Sequence, residues 1–246
     1  MKKIAIIGSG SWGVALAVHL AKLGDEVRIW SFMQEEADLI NNEKKCKFLP
    51  EITIPERIIC TTSYEEAIKD SEIILHVTPS KFTRNTVREY KEYVTNQTIV
   101  ICSKGFEKES LSTLDEVIKE EIPNVKLAIL SGPSHAEEVS KGVPTAMVIA
   151  SEDEKIADQL RDLFMNENLR VYTSQDVKGV ELRRSTKKYY SILQWSSSRY
   201  WPRRQLFCSS NNKRTMRNIK IRNSFRRKTR HILWLNRSRR FNSNMS

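Results

Sequence analysis

From Met1 to Leu182 short apolar runs alternate with amphipathic stretches. The runs predict strands at Ile4–Ile7, Val27–Trp30, Ile73–Val77, Thr98–Cys102, Leu127–Leu130 and Ala146–Ala150. The amphipathic stretches predict helices at Ser11–Leu23, Gln34–Asn41, Lys81–Tyr90, Leu114–Glu121 and Glu154–Asn166. Strands separated by helices imply an α/β fold, a doubly wound parallel sheet with right-handed crossovers. The strands read as continuous apolar runs because such a sheet is buried on both faces. Lys44–Pro55 reads as a basic, proline-bounded loop. After Leu182 the pattern stops. Ile192, Leu193, Trp195, Leu233, Trp234 and Leu235 stand in a background of Arg, Ser and Asn, and neither helical nor strand period persists. The expected organisation is a folded domain over 1–182 and a largely disordered basic tail over 183–246.

Composition explains the break. The 64 residues from Arg183 to Ser246 contain no Gly, Ala, Val, Asp or Glu. Codons that begin with G encode those five residues and no others. Folding has no reason to exclude them as a group, whereas a shifted reading frame in an AT-rich gene does. The tail is therefore read as an out-of-frame continuation. It also carries 19 of the 41 Lys and Arg, leaving 22 against 30 acids in Met1–Leu182, a net of −8. The overall charge of +11 thus gives the first 182 residues no preference for nucleic acid or an anionic membrane. Cys46, Cys60, Cys102 and Cys208 show no metal or redox spacing, which fits reduced thiols in a cytoplasmic protein. No apolar run has the length of a membrane span. The first residues, Met-Lys-Lys-Ile-Ala-Ile-Ile-Gly, are a strand that stops at glycine, too short for a signal peptide.

The clearest chemistry lies at the start. Ile4–Ile7 runs into Gly8-Ser9-Gly10-Ser11-Trp12-Gly13, with a helix and a second strand behind it. In that context the glycines are a dinucleotide-binding turn. Gly8 permits the turn, Gly10 lets a pyrophosphate approach the backbone, and Gly13 lets the helix pack on the strand. The helix N-terminus then offers free N–H groups to the anion. The second strand ends in Trp30-Ser31-Phe32-Met33, with neither an acid for a ribose hydroxyl nor an arginine for a 2′-phosphate, so NAD and NADP both remain open. His135 is assigned to packing or hydrogen bonding. Cys102 is assigned to a buried inert thiol, Glu137 and Glu138 to the first turn of a helix, and Arg84 to a solvated helix face. Pro79 ends a strand, with a binding role equally open.

Ser131-Gly-Pro-Ser-His-Ala-Glu-Glu-Val139, taken with the glycine turn, Ser103-Lys104-Gly105 and Gly179-Val-Glu-Leu182, resembles bacterial NAD(P)-dependent glycerol-3-phosphate dehydrogenase. The resemblance runs in order over nearly all of Met1–Leu182. It implies a dinucleotide-binding domain followed by a helical substrate domain, with NAD or NADP as cofactor. The implied reaction interconverts dihydroxyacetone phosphate and glycerol 3-phosphate by hydride transfer, for glycerophospholipid synthesis. It puts Ser11 and Trp12 beside the cofactor, Lys104 where cofactor meets substrate, Gly132 and Ser134 at the substrate, and Ala136 again at the cofactor.

The same family continues from Val-Glu-Leu into two glycines and a Lys-Asn pair whose lysine donates the proton in carbonyl reduction. Here Arg183-Arg184-Ser185-Thr186-Lys187-Lys188 stands instead. Read one base later, synonymous codons for these residues spell glycine, glycine, alanine, leucine, lysine, asparagine. A second stretch, Trp234–Asn244, becomes compatible with the family's substrate-domain signature under the same shift. Lys187 therefore keeps the position of the catalytic, substrate-contacting lysine, but without its setting, and the chain as written is expected to turn over poorly. The alternative is a nucleotide-binding domain whose tail, with Tyr189, Tyr190, Trp195 and Trp201 among its arginines, contacts nucleic acid without catalysis.

Overall fold

The computed structural model describes residues 1–185. They begin with β1 (Lys3–Ile7), α1 (Ser11–Lys22), β2 (Glu26–Trp30), α2 (Gln34–Asn42), β3 (Ile58–Thr61), α3 (Tyr64–Ile68) and β4 (Ile73–His76). There follow α4 (Thr83–Tyr90), β5 (Thr98–Ile101), α5 (Leu114–Glu121), β6 (Lys126–Ser131), α6 (Ala136–Lys141), β7 (Thr145–Ala150), α7 (Glu154–Phe164) and β8 (Leu169–Ser174). A further helix occupies 177–185. The expectation of a largely disordered tail falls outside the described residues from 186 onward. For 183–185 the backbone is helical.

The strands form one sheet in the order β3-β2-β1-β4-β5-β6-β7-β8. Alternate residues feed opposite faces, the reason these strands need apolar residues at every position. Ile4 and Ile6 join a core with α1, α2 and α7, while Ala5 and Ile7 join one with α3, α4 and α5. Helix α1 is buried from Gly13 to Ala21. Its run of small and aliphatic residues fits a helix covered on several sides by β1, β2, α6 and α7.

One expectation needs correcting. The sheet is not parallel throughout, because β6 and β7 pair antiparallel, Ile129 opposite Ala150, and β8 then pairs parallel with β7. The six-residue α6 spans only ~9 Å at 1.5 Å per residue. That is too short to carry the chain back along β6, so the chain enters the sheet from the same end. Strands β3 and β8 and helix α3 escape the sequence reading. Both strands lie at sheet edges and alternate buried with exposed positions; β8 has no apolar run, whereas β3 carries only the short Ile58-Ile59-Cys60, with Ile59 exposed.

Candidate functional site

The glycine turn is built as the motif requires. Gly8 has φ +126°, and its N–H donates to the Trp30 carbonyl at 3.0 Å. A Cβ on Gly13 would stand 2.0 Å from the Gly8 carbonyl oxygen, so only hydrogen allows α1 to start there. Gly10 differs, since nothing in the chain lies within 4 Å of where its Cβ would be. The protein's own packing does not demand glycine there, whereas a ligand laid on the backbone does.

Beside this turn a cleft of about 400 Å³ opens at the carboxyl ends of the central strands. Ser11 and Trp12 line it from the start of α1, Val77-Thr78-Pro79 from the end of β4, and Cys102-Ser103-Lys104 from the end of β5. Ser134, His135, Ala136 and Glu137 close it from the β6–α6 connection. Its position follows from topology. The chain winds outward from β1 through β2 to β3 and then restarts at β4 on the other side of β1. The loops therefore part between β1 and β4, the place where open α/β sheets bind ligands.

The structure gathers Ser11, Trp12, Lys104, Ser134 and Ala136 into one cleft. Gly132 does not line it. A Cβ there would press on the Ala146 carbonyl at 2.9 Å and on Met147, so its smallness lets β6 and β7 approach. Lys187 lies outside the described residues. His135 is exposed and faces the cleft; packing is not its role. Cys102 is buried just past β5, its thiol pushed up to about 12 by burial, which suits inertness. Glu137 and Glu138 occupy the first turn of α6 as expected.

Arg84 is not simply solvated. Its guanidinium forks onto both carboxylate oxygens of Glu107 at 2.7 and 2.8 Å and reaches Glu120 and Glu121 at 2.8 and 3.0 Å. This network ties α4 to α5 and to the loop after β5, and it occupies the donors a phosphate would need. Two features carry no motif and went unread in the sequence. Thr78 holds the buried His76 by a 2.8 Å contact to Nε2, and burial lowers the His76 imidazole to about 3. Glu36 reaches from α2 to Ser9 and Ser31, a meeting that only the fold produces. Among the described residues no group of three or more His, Cys, Asp and Glu is placed to hold a metal. No helix among them is long and apolar enough to cross a membrane.

Comparison with known proteins agrees with this geometry. The family described as NAD-dependent glycerol-3-phosphate dehydrogenase N-terminus matches residues 3–157. The chain belongs to this family. A glycerol-3-phosphate dehydrogenase [NAD(P)+] of Agathobacter rectalis is 41% identical over 78% of this chain and 58% of its own length. One from Fusobacterium nucleatum is 42% identical over the same shares. The crystal structure of glycerol-3-phosphate dehydrogenase from Coxiella burnetii superposes with a TM-score of 0.73 at 34% identity, covering 76% of this chain and 57% of that one. The chain thus spans a little under three fifths of the length of these relatives. The family is one of dinucleotide-dependent enzymes, and the glycine turn and cleft fit that class of cofactor.

Proposed function

We propose that residues 1–182 are the dinucleotide-binding half of an NAD(P)-dependent glycerol-3-phosphate dehydrogenase, a cytoplasmic enzyme that interconverts dihydroxyacetone phosphate and sn-glycerol 3-phosphate for glycerophospholipid synthesis. The observation that carries this reading is Gly10, open where Gly8 and Gly13 are sterically bound, at the mouth of the switch-point cleft. The bound nicotinamide supplies or accepts the hydride. The chain's part is to hold and orient. The turn and the N-terminus of α1 face the pyrophosphate with N–H donors. Ser11, Trp12 and Ala136 lie along the cofactor. Lys104 and Ser134, in the same cleft, meet the phosphorylated substrate, with Gly132 in the adjoining loop. A fixed cation at a strand's carboxyl end is suited to a phosphate and to charge developing on the carbonyl oxygen.

In this reading Lys187 is the residue that donates the proton, and Arg183–Ser246 is an out-of-frame text in place of the helical substrate domain. A proton donor must be held within hydrogen-bond reach of its acceptor, so the chain as written binds dinucleotide but turns over poorly. The test is a titration of the full purified chain with NADH, followed by dihydroxyacetone phosphate. Saturable NADH binding with little turnover supports the whole proposal. Absence of binding refutes the cofactor role, and turnover at an ordinary enzymatic rate refutes the impairment. Resequencing codons 180–190 settles the frame directly.

A further inference from the structure

We infer that Glu36 makes this cleft select NAD over NADP, an inference that rests on the cofactor role proposed above. The carboxylate a dinucleotide domain uses for ribose hydroxyls normally follows β2 directly. Ser31 stands there, and residues 31–34 contain no acid. The fold supplies one from another element. Glu36, in the first turn of α2, turns back over the end of β2. Its Oε2 lies within hydrogen-bond reach of the Ser9 hydroxyl, and it accepts from the Ser31 hydroxyl at 3.1 Å. Ser9 and Ser31 are themselves 2.9 Å apart and buried.

Ser9 is the residue between Gly8 and Gly10, so the carboxylate touches the turn that cradles the pyrophosphate. The ribose next to that pyrophosphate has to lie beside Glu36. Two hydroxyl contacts on Oε2 hold the side chain beside the turn, where the carboxylate can accept from a ribose 2′-hydroxyl. The same carboxylate repels a 2′-phosphate. No compensating cation comes from this segment, because residues 31–42 contain no Lys or Arg. Nearby cations serve elsewhere. Arg28 donates to the carbonyls of Glu66 and Lys69, and Lys44 pairs with Glu56 at 3.0 Å. Phe32 and Met33, 85% and 47% exposed, offer apolar surface at the same rim, suited to an adenine ring.

The experiment compares NADH and NADPH binding to the full chain at one ionic strength, before and after Glu36→Gln. NADH should bind at least about tenfold more tightly, the worth of one charge-assisted hydrogen bond. Glu36→Gln should narrow that ratio mainly by tightening NADPH, and Glu36→Arg should narrow it further. A purely structural role would weaken both dinucleotides alike and leave the ratio unchanged. Equal binding by the unsubstituted chain overturns the inference while leaving the cofactor role standing. No binding of either dinucleotide overturns both. The unsubstituted ratio tests the idea even if a variant fails to fold.

Discussion

Two buried corners of this domain treat polar groups in opposite ways. In the glycine turn the polar atoms meet: Gly8 N–H finds the Trp30 carbonyl, and the Ser9 and Ser31 hydroxyls both lie within hydrogen-bond reach of the Glu36 carboxylate. At residues 181–185 only some of them do. Arg184 is 4% exposed and donates through Nη1 to the Ile101 and Leu130 carbonyls at 2.9 and 3.1 Å. Its Nε and Nη2, and Glu181 Oε2, have no hydrogen-bond partner among the described residues. The Glu181 carboxylate stands 3.8 Å from Nη1, too far for a hydrogen bond. Burial pushes it up to about 7, with the Arg184 charge opposing, and lowers the Arg184 guanidinium from its ordinary range. A locally consistent sequence satisfies its buried groups. The first corner satisfies its buried groups, and the second leaves part of a buried ion pair without partners.

The sharpest way to break this comparison is inside the turn. Gly13→Ala, with a Cβ 2.0 Å from a backbone oxygen, should cost about 3 kcal/mol or more in denaturant unfolding. Gly10→Ala should leave stability within about 1 kcal/mol, yet weaken NADH binding at least about tenfold by obstructing the pyrophosphate. If both variants behave alike, the distinction between packing and ligand glycines fails.

The second corner should respond in the opposite sense. Replacing a poorly satisfied buried ion pair with groups of similar volume is often neutral or stabilising. Glu181→Gln combined with Arg184→Met should therefore match or exceed the parent's stability, by up to about 3 kcal/mol. A clearly less stable double variant would show that the pair fits its surroundings.

Acidity probes the same corner more gently. Glu181 holds its proton in the folded state up to about pH 7, while an unfolded glutamate releases it near 4.5. Between those values the folded state binds the extra proton, so this group's contribution to stability is lost as pH rises through the window. His76, lowered to about 3, acts in reverse, its contribution being lost as pH falls below about 6.5. Glu181→Gln should remove the downward slope and leave the histidine's upward one, a change on the order of 3 kcal/mol across the window. An unchanged profile would place the titration elsewhere.

The smallest effect is expected at Arg84. Its network is partly solvated, with the side chain 22% exposed. Arg84→Ala should cost about 1 kcal/mol and leave NADH affinity unchanged, since Arg84 is not among the cleft's lining residues.

Six of the eight strands and the glycine turn were legible because local chemistry specifies them: apolar runs for strands buried on two faces, and glycines at a spacing only a tight strand-to-helix turn uses. Boundaries moved by a residue or two, as at Thr98–Ile101, where Cys102 leaves the strand. Edge strand β8 was illegible because its half-exposed positions imitate loop composition, β3 because its apolar run is only three residues long, and the β6–β7 reversal because direction is not encoded in an apolar run.

By itself the sequence determined the α/β class, the dinucleotide turn, the family and the compositional break after Leu182. Each depends on neighbours in the chain, on residue types at fixed spacing. Only the tertiary structure decided that Glu36 meets Ser9, that Arg84 is spoken for by three carboxylates, that Gly132 serves strand packing, and that Arg184 lies buried beside Glu181. Those outcomes join residues from separate elements, and their energies depend on distance and burial after folding, quantities that order along the chain does not contain.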